Sequence, residues 1–154
     1  MKERINVAQL APEAYRAMLG LEKFLAGSKL PHITKELVKL RVSQINGCAF
    51  CVDLHSHDLK EAGESDERLF AVTVWREAPF FTDAERAALA LAEEATRLAD
   101  RGEAVPDHVW EEAAAHYEPE TLAALVVAIS TINAWNRIGV TTRMVPGSLR
   151  QQKG

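Results

Sequence analysis

Asn46-Gly47-Cys48-Ala49-Phe50-Cys51-Val52-Asp53-Leu54-His55 holds both cysteines of the chain, spaced C-x-x-C, with a histidine four residues after the second. The stretch also decides the fold, because Asn46-Gly47 ends one helix and Cys48 opens the next. Taken as helix from Cys48 at about 100° per residue, Cys48, Cys51, Val52, His55 and Leu59 fall within one arc of roughly 100°. The two thiols and the imidazole therefore share the apolar stripe that faces the core. By the same rule His57 points to the opposite side.

Helix punctuation extends outward from this stretch in both directions. Before it, Pro12 suits a first helical position and Tyr15, Met18, Leu21 and Leu25 follow on one face up to Gly27; Pro31 opens a second helix ending near Asn46-Gly47. The helix begun at Cys48 ends near Gly63, and a fourth covers about Asp66 to Ala78, before Pro79. Thr82 with Glu85 makes a capping box for a helix running towards Gly102, and Pro106 and Pro119 start two more. Pro146 and Gly147 introduce a short polar tail. Ala (24 residues), Leu (16) and Glu (16) favour helix, and no segment alternates with a period of two, so the expectation is all-α: one domain, 1–154, a bundle of about seven helices.

Composition narrows the function classes. A chain of 154 residues that is 47% hydrophobic and 26% charged is globular rather than disordered. The formal net charge of −4 leaves no basic excess for nucleic acid or an anionic membrane surface. Met1–Leu10 lacks the apolar core of a signal peptide, and the uncharged run Thr121–Asn136 is too short and too polar to span a bilayer. Two cysteines do not make a disulfide scaffold. These features together indicate a cytoplasmic protein.

Thiols at i and i+3 on a first helical turn can close a disulfide, and the free N–H groups of the helix start favour the thiolate. His55, one turn below Cys51 and nearly two below Cys48, can accept the proton of Cys51. Its second nitrogen needs a partner, and Glu36 on the preceding helix is the candidate. The residues leave other readings open: two small core residues, a zinc site from Cys48, Cys51, His55 and His57, or a structural disulfide. Against zinc, His57 faces away, and attached c-type haem is excluded because Val52 follows the second cysteine. A redox-active pair accounts best for the pattern. Elsewhere, Asn133, Trp135, Asn136 and Arg137 could line a pocket, though core packing for Trp135 and an end cap or subunit contact for Asn136 and Arg137 suit them better. Phe80 and Phe81 read as core, and Glu93, Glu94, Glu111 and Glu112 as solvated outer-face charges.

Glu36, Cys48, Cys51 and His55 together resemble the E-x(11)-C-x-x-C-x-x-x-H signature of the AhpD-like alkylhydroperoxidases, within the carboxymuconolactone decarboxylase superfamily. Glu36-Leu37-Val38-Lys39-Leu40-Arg41, Trp75-Arg76-Glu77 and Ile132-Asn133-Ala134-Trp135-Asn136-Arg137 are also typical of single-domain members, so the resemblance covers about residues 4–143. It implies an all-helical fold assembling as a homotrimer or homohexamer, and reduction of organic hydroperoxides without a bound cofactor, metal or haem. Cys51 resembles the peroxidatic cysteine, Cys48 the resolving one, and His55 with Glu36 the proton relay. The disulfide would be reopened by an external dithiol, in the family a lipoyl-bearing or thioredoxin-like protein. In some members a histidine precedes the second cysteine, where this chain has Phe50. The alternatives are a lactone-processing or decarboxylating enzyme using His55 and Glu36, or a non-catalytic thiol redox sensor.

Overall fold

The computed structural model describes residues 2–151. Among these there is no strand, and nine α-helices follow in order: α1 Val7–Leu10, α2 Pro12–Gly27, α3 His32–Asn46, α4 Ala49–Glu61, α5 Asp66–Ala71, α6 Asp83–Thr96, α7 Asp107–His116, α8 Pro119–Thr142 and α9 Ser148–Gln151. Short 3-10 turns occupy Val72–Val74 and Leu98–Asp100. The all-α expectation holds; the two helices beyond the expected seven are the four-residue α1 and α9.

The centre of the molecule is α3, which is buried on every face from Thr34 to Leu40 and again at Val42 and Ser43. It packs against α4, α6 and α8. One core cluster joins Val38, Val42, Cys48, Cys51, Leu125, Ile129 and Ile132, tying α3, α4 and α8 together. A second gathers Leu37, Leu40, Leu59, Val72, Trp75, Phe81 and Leu89 on the other side of α3. The 24-residue α8 has the length and apolar composition of a membrane span, but Leu122, Leu125, Ile129 and Ile132 pack it into the first cluster.

Local chemistry sets the helix ends. Asn6 and Ser65 cap α1 and α5 through their side chains. The Thr82–Glu85 capping box is present, with each residue bonding the other's backbone N–H. Pro12 and Pro119 occupy first turns, whereas Pro31 and Pro106 stand one residue outside their helices as caps. The expected helix from Asp66 to Ala78 is α-helical only to Ala71. There the β-branched run Val72-Thr73-Val74 tightens into a 3-10 turn. The carbonyls this leaves open are taken up by the Arg86 guanidinium, which donates to Trp75, Arg76 and Ala78 and, through Nε, to Phe81. Similarly, the helix expected to reach Gly102 stops at Thr96.

Two glutamates expected at the surface are buried. Glu93 is 2% exposed and accepts hydrogen bonds from Arg41 Nε (2.6 Å), Trp75 Nε1 (3.0 Å) and Arg76. Burial pushes its carboxyl up, but these donors outweigh that and hold it below the usual carboxylate range. Glu94, 9% exposed, pairs with Arg101. Glu111 and Glu112 are exposed, as expected. Of the two phenylalanines expected in the core, Phe81 is buried, while Phe80 lies 45% exposed.

Candidate active site

The turn at Gly47 brings the cysteines to the end of α3. Gly47 adopts a left-handed conformation (φ 69°), its N–H bonds back to α3, and the Cys48 N–H reaches the Ser43 carbonyl at 3.0 Å. A side chain there would be strained; glycine reverses the chain without steric strain. Three asparagines brace the same corner. Asn46 Nδ2 donates to Asn133 Oδ1 (3.0 Å) and Asn136 Oδ1 (2.9 Å), and Asn136 Nδ2 donates to Ser43 Oγ (3.0 Å).

Cys48 stands at the N-cap of α4 rather than inside it. The two cysteines are joined as a disulfide, Cα atoms 5.3 Å apart, and Cys48 Sγ accepts a hydrogen bond from the Cys51 N–H at 3.3 Å. Gly139 of α8 lies directly behind the pair: a Cβ at this position would stand 2.9 Å from Cys48 Sγ and 3.6 Å from Cys51 Sγ. Its hydrogen side chain therefore makes room for the sulfurs. Nothing in the local sequence signals this contact, which joins segments almost 90 residues apart.

His55 lies one turn below Cys51, buried, and its Nδ1 is 2.7 Å from Glu36 Oε2 on α3. Lys35 and Lys39 approach the other Glu36 oxygen at 3.7 Å and 4.0 Å. Burial alone would raise the Glu36 carboxyl, but the His55 hydrogen bond and the charges of His55, Lys39 and Lys35 prevail and lower it from 4.5 to about 2. Glu36 is therefore ionised and can only accept, which places a proton on His55 Nδ1 and leaves Nε2 to exchange one. Asp58, 3.8 Å from His55 Nδ1, moves the other way: its burial and the Glu36 charge both raise it. Glu36, His55 and Asp58 offer ligand atoms within 4.8 Å of one another, the only such group among the described residues, and a cation there would compete with two ammonium groups. His57, half exposed and 3.7 Å from Asp53, belongs to the opposite face, so the Cys48, Cys51, His55, His57 set does not converge.

A cavity of about 360 Å³ opens onto this arrangement. Cys51, His55 and Glu36 line it, together with Lys35, Lys39 and Asp58, while its apolar wall comes from Tyr15, Phe50, Leu54, Ile132, Trp135 and Met144. Trp135 thus does reach the cavity; its indole N–H donates to Glu22 (3.1 Å), and Tyr15 packs edge-on against it at 5.2 Å between centroids. Asn133 and Asn136 instead brace α8 against α3, and Arg137 folds back onto Asn133. Glu22, missed in the sequence, ties Lys39 Nζ at 2.5 Å to the cavity rim. The Tyr15, Met18, Leu21 stripe divides: Tyr15 faces the cavity, Met18 is half-buried and Leu21 is 40% exposed.

An all-helical bundle that clamps a vicinal cysteine pair beside a buried Glu–His couple defines a class of thiol-bearing helical proteins. The chain belongs to the carboxymuconolactone decarboxylase family, whose pattern matches residues 12–94. It is 39% identical over 140 residues to the uncharacterized protein YdfG of Bacillus subtilis, spanning 91% of this chain and 94% of that one. A crystal structure of an Agrobacterium tumefaciens protein of unknown function, suggested to be the antioxidant defence protein AhpD, superposes with a TM-score of 0.89. It is 43% identical and covers 94% of this chain and 98% of its own. A 35-residue stretch is 54% identical to the alkyl hydroperoxide reductase AhpD of Nocardia farcinica, 23% of this chain and 20% of that protein. The fold is accordingly AhpD-like.

Proposed function

We propose that the protein is a thiol peroxidase that reduces organic hydroperoxides through Cys51 and Cys48. The observation that carries this reading is that Cys51, rather than Cys48, fronts the cavity that also exposes His55 and its buried carboxylate partner. A hydroperoxide entering that cavity meets one sulfur and one proton-exchanging ring.

In the first step the Cys51 thiolate attacks the terminal peroxide oxygen. The O–O bond breaks, Cys51 becomes a sulfenic acid, and the alkoxide leaves as an alcohol with a proton supplied through His55. Glu36 holds the ring in one tautomer and stabilises its charged form. Cys48 then attacks the Cys51 sulfur, releasing water and closing the disulfide. An external dithiol, a lipoyl-bearing or thioredoxin-like partner, attacks the Cys51 sulfur through the cavity it lines; Cys48 leaves as a thiolate held by the Cys51 N–H. The cycle needs no bound cofactor from the residues assembled here, and an assembly of three or six copies follows the family.

Steady-state reduction of organic hydroperoxides, a linear primary one and cumene hydroperoxide both, with a small dithiol tests the proposal. Wild type turns over, and Cys51→Ser does not. Equal rates in the two proteins, or no turnover in wild type, exclude the peroxidase reading.

A further inference from the structure

A second cavity lies behind one wall of the catalytic cavity. Tyr15, Met144 and Leu149 line the catalytic cavity, and the same three residues line this second one, of about 310 Å³. This second space is bounded by Val7 and Ala8 of α1, by Ile138 and Thr142 of α8, by Ser148, and by Glu3 and Asn6 of the N-terminal strap, residues 2–6. Two of the three dividing residues have flexible apolar side chains, and methionine in particular repacks at little cost.

Both outer walls are fastened. The strap is bound to the end of α8 by Arg4 N–H to the Thr142 carbonyl (2.8 Å) and Arg4 Nη1 to the Thr141 carbonyl (3.0 Å). The C-terminal turn is bound to the cysteine helix by Gly147 N–H to Asp53 Oδ2 (3.0 Å). Arg143 sits in the left-handed region (φ 60°), and the turn it makes returns the Met144 N–H to the Gly139 carbonyl at 3.0 Å. Non-glycine residues adopt that conformation uncommonly. The turn carries Met144 onto the dividing wall, with its sulfur 3.8 Å from the Cβ position of Gly139.

We infer that the second cavity is the tail site of the substrate. The hydroperoxide group sits at Cys51 and a long unbranched apolar chain passes Tyr15, Met144 and Leu149 into the space under the strap. The substrate class is then a linear long-chain hydroperoxide, reduced to the corresponding alcohol, rather than a compact branched one. The inference rests on the peroxidase reading for the chemistry, but the tail site itself depends only on the two cavities sharing one wall.

Two measurements separate them. In the first, kcat/KM is determined for linear primary hydroperoxides of four to sixteen carbons, in wild type and in Ala8→Phe, which places a ring in the second cavity from an exposed helix position. Wild type should gain roughly fourfold per added methylene until the second cavity is filled. In Ala8→Phe the ratio of long-chain to four-carbon efficiency should fall at least tenfold, through KM. In the second, binding of 1-decanol and 1-butanol, the product alcohols, is titrated calorimetrically to both proteins. Decanol should bind wild type at least tenfold more tightly than Ala8→Phe, while butanol does not discriminate. If no hydroperoxide is turned over but decanol discriminates, the peroxidase reading fails and the tail site stands. Chain-length profiles and decanol affinities that coincide in the two proteins overturn the tail site.

Discussion

Glu36 and His55 form the pair on which the proposed chemistry turns, and the carboxylate is the more directly testable of the two. Its carboxyl lies at about 2 in the fold against 4.5 ordinarily, so the unfolded chain binds more protons between those values. The sign follows: the stabilisation is complete above pH 4.5 and is lost as pH falls from 4.5 towards 2, on the order of 3 kcal/mol in all. Urea melts across that window should show the loss in wild type and a flatter profile in Glu36→Gln. The same variant should lose about 10²-fold in peroxidase kcat, since a neutral amide neither fixes the imidazole tautomer nor stabilises its charge. Parallel acid profiles together with undiminished kcat would contradict the role given to Glu36.

At the scale of elements, the apolar contact between α3 and α6 also carries a buried charge. Glu93 gathers Arg41, Arg76 and Trp75 around one carboxylate, with Arg97 at 3.5 Å. Glu93→Gln leaves the partly buried Arg41 without its counter-charge and should lower stability by about 2–4 kcal/mol, the lower end applying because Arg76 and Arg97 are partly solvated. A change under about 0.5 kcal/mol in chemical denaturation would show the network to be ornamental. The same contact marks the limit of sequence reading. The cysteine helix, its opposing faces and the Glu36 partner were legible because a turn at Asn46-Gly47 and a 3.6-residue period relate residues nearby in the chain. Glu93 next to Glu94 reads as solvated charge because its partners, Arg41 and Arg76, lie 52 and 17 residues away. Gly139 behind the sulfurs was hidden for the same reason: helical spacing within α8 says nothing of what packs against it.

For the whole molecule, the question is whether the disulfide holds the fold or serves the site. Cys48 and Cys51 are three residues apart, so the loop they close is among the shortest available and its entropic contribution is about 2 kcal/mol. The helical framework is carried by two apolar clusters around α3, and the larger of them surrounds the pair without depending on the S–S bond. Full reduction should therefore lower Tm by only about 4–8 °C, measured calorimetrically with and without a strong dithiol, and leave the helical circular dichroism unchanged. Unfolding on reduction would make the bridge a structural staple and remove the freedom to cycle that peroxidase turnover requires.

The attacking sulfur can be identified directly. Reduced Cys48→Ser and Cys51→Ser proteins are each treated with one equivalent of a linear hydroperoxide in the presence of dimedone and analysed by peptide mass spectrometry. Cys48→Ser should consume the hydroperoxide once and carry the sulfenic-acid adduct on Cys51, with Cys51→Ser unlabelled. An adduct on Cys48 in Cys51→Ser, with none on Cys51 in the other variant, would reverse the assignment on which the account stands.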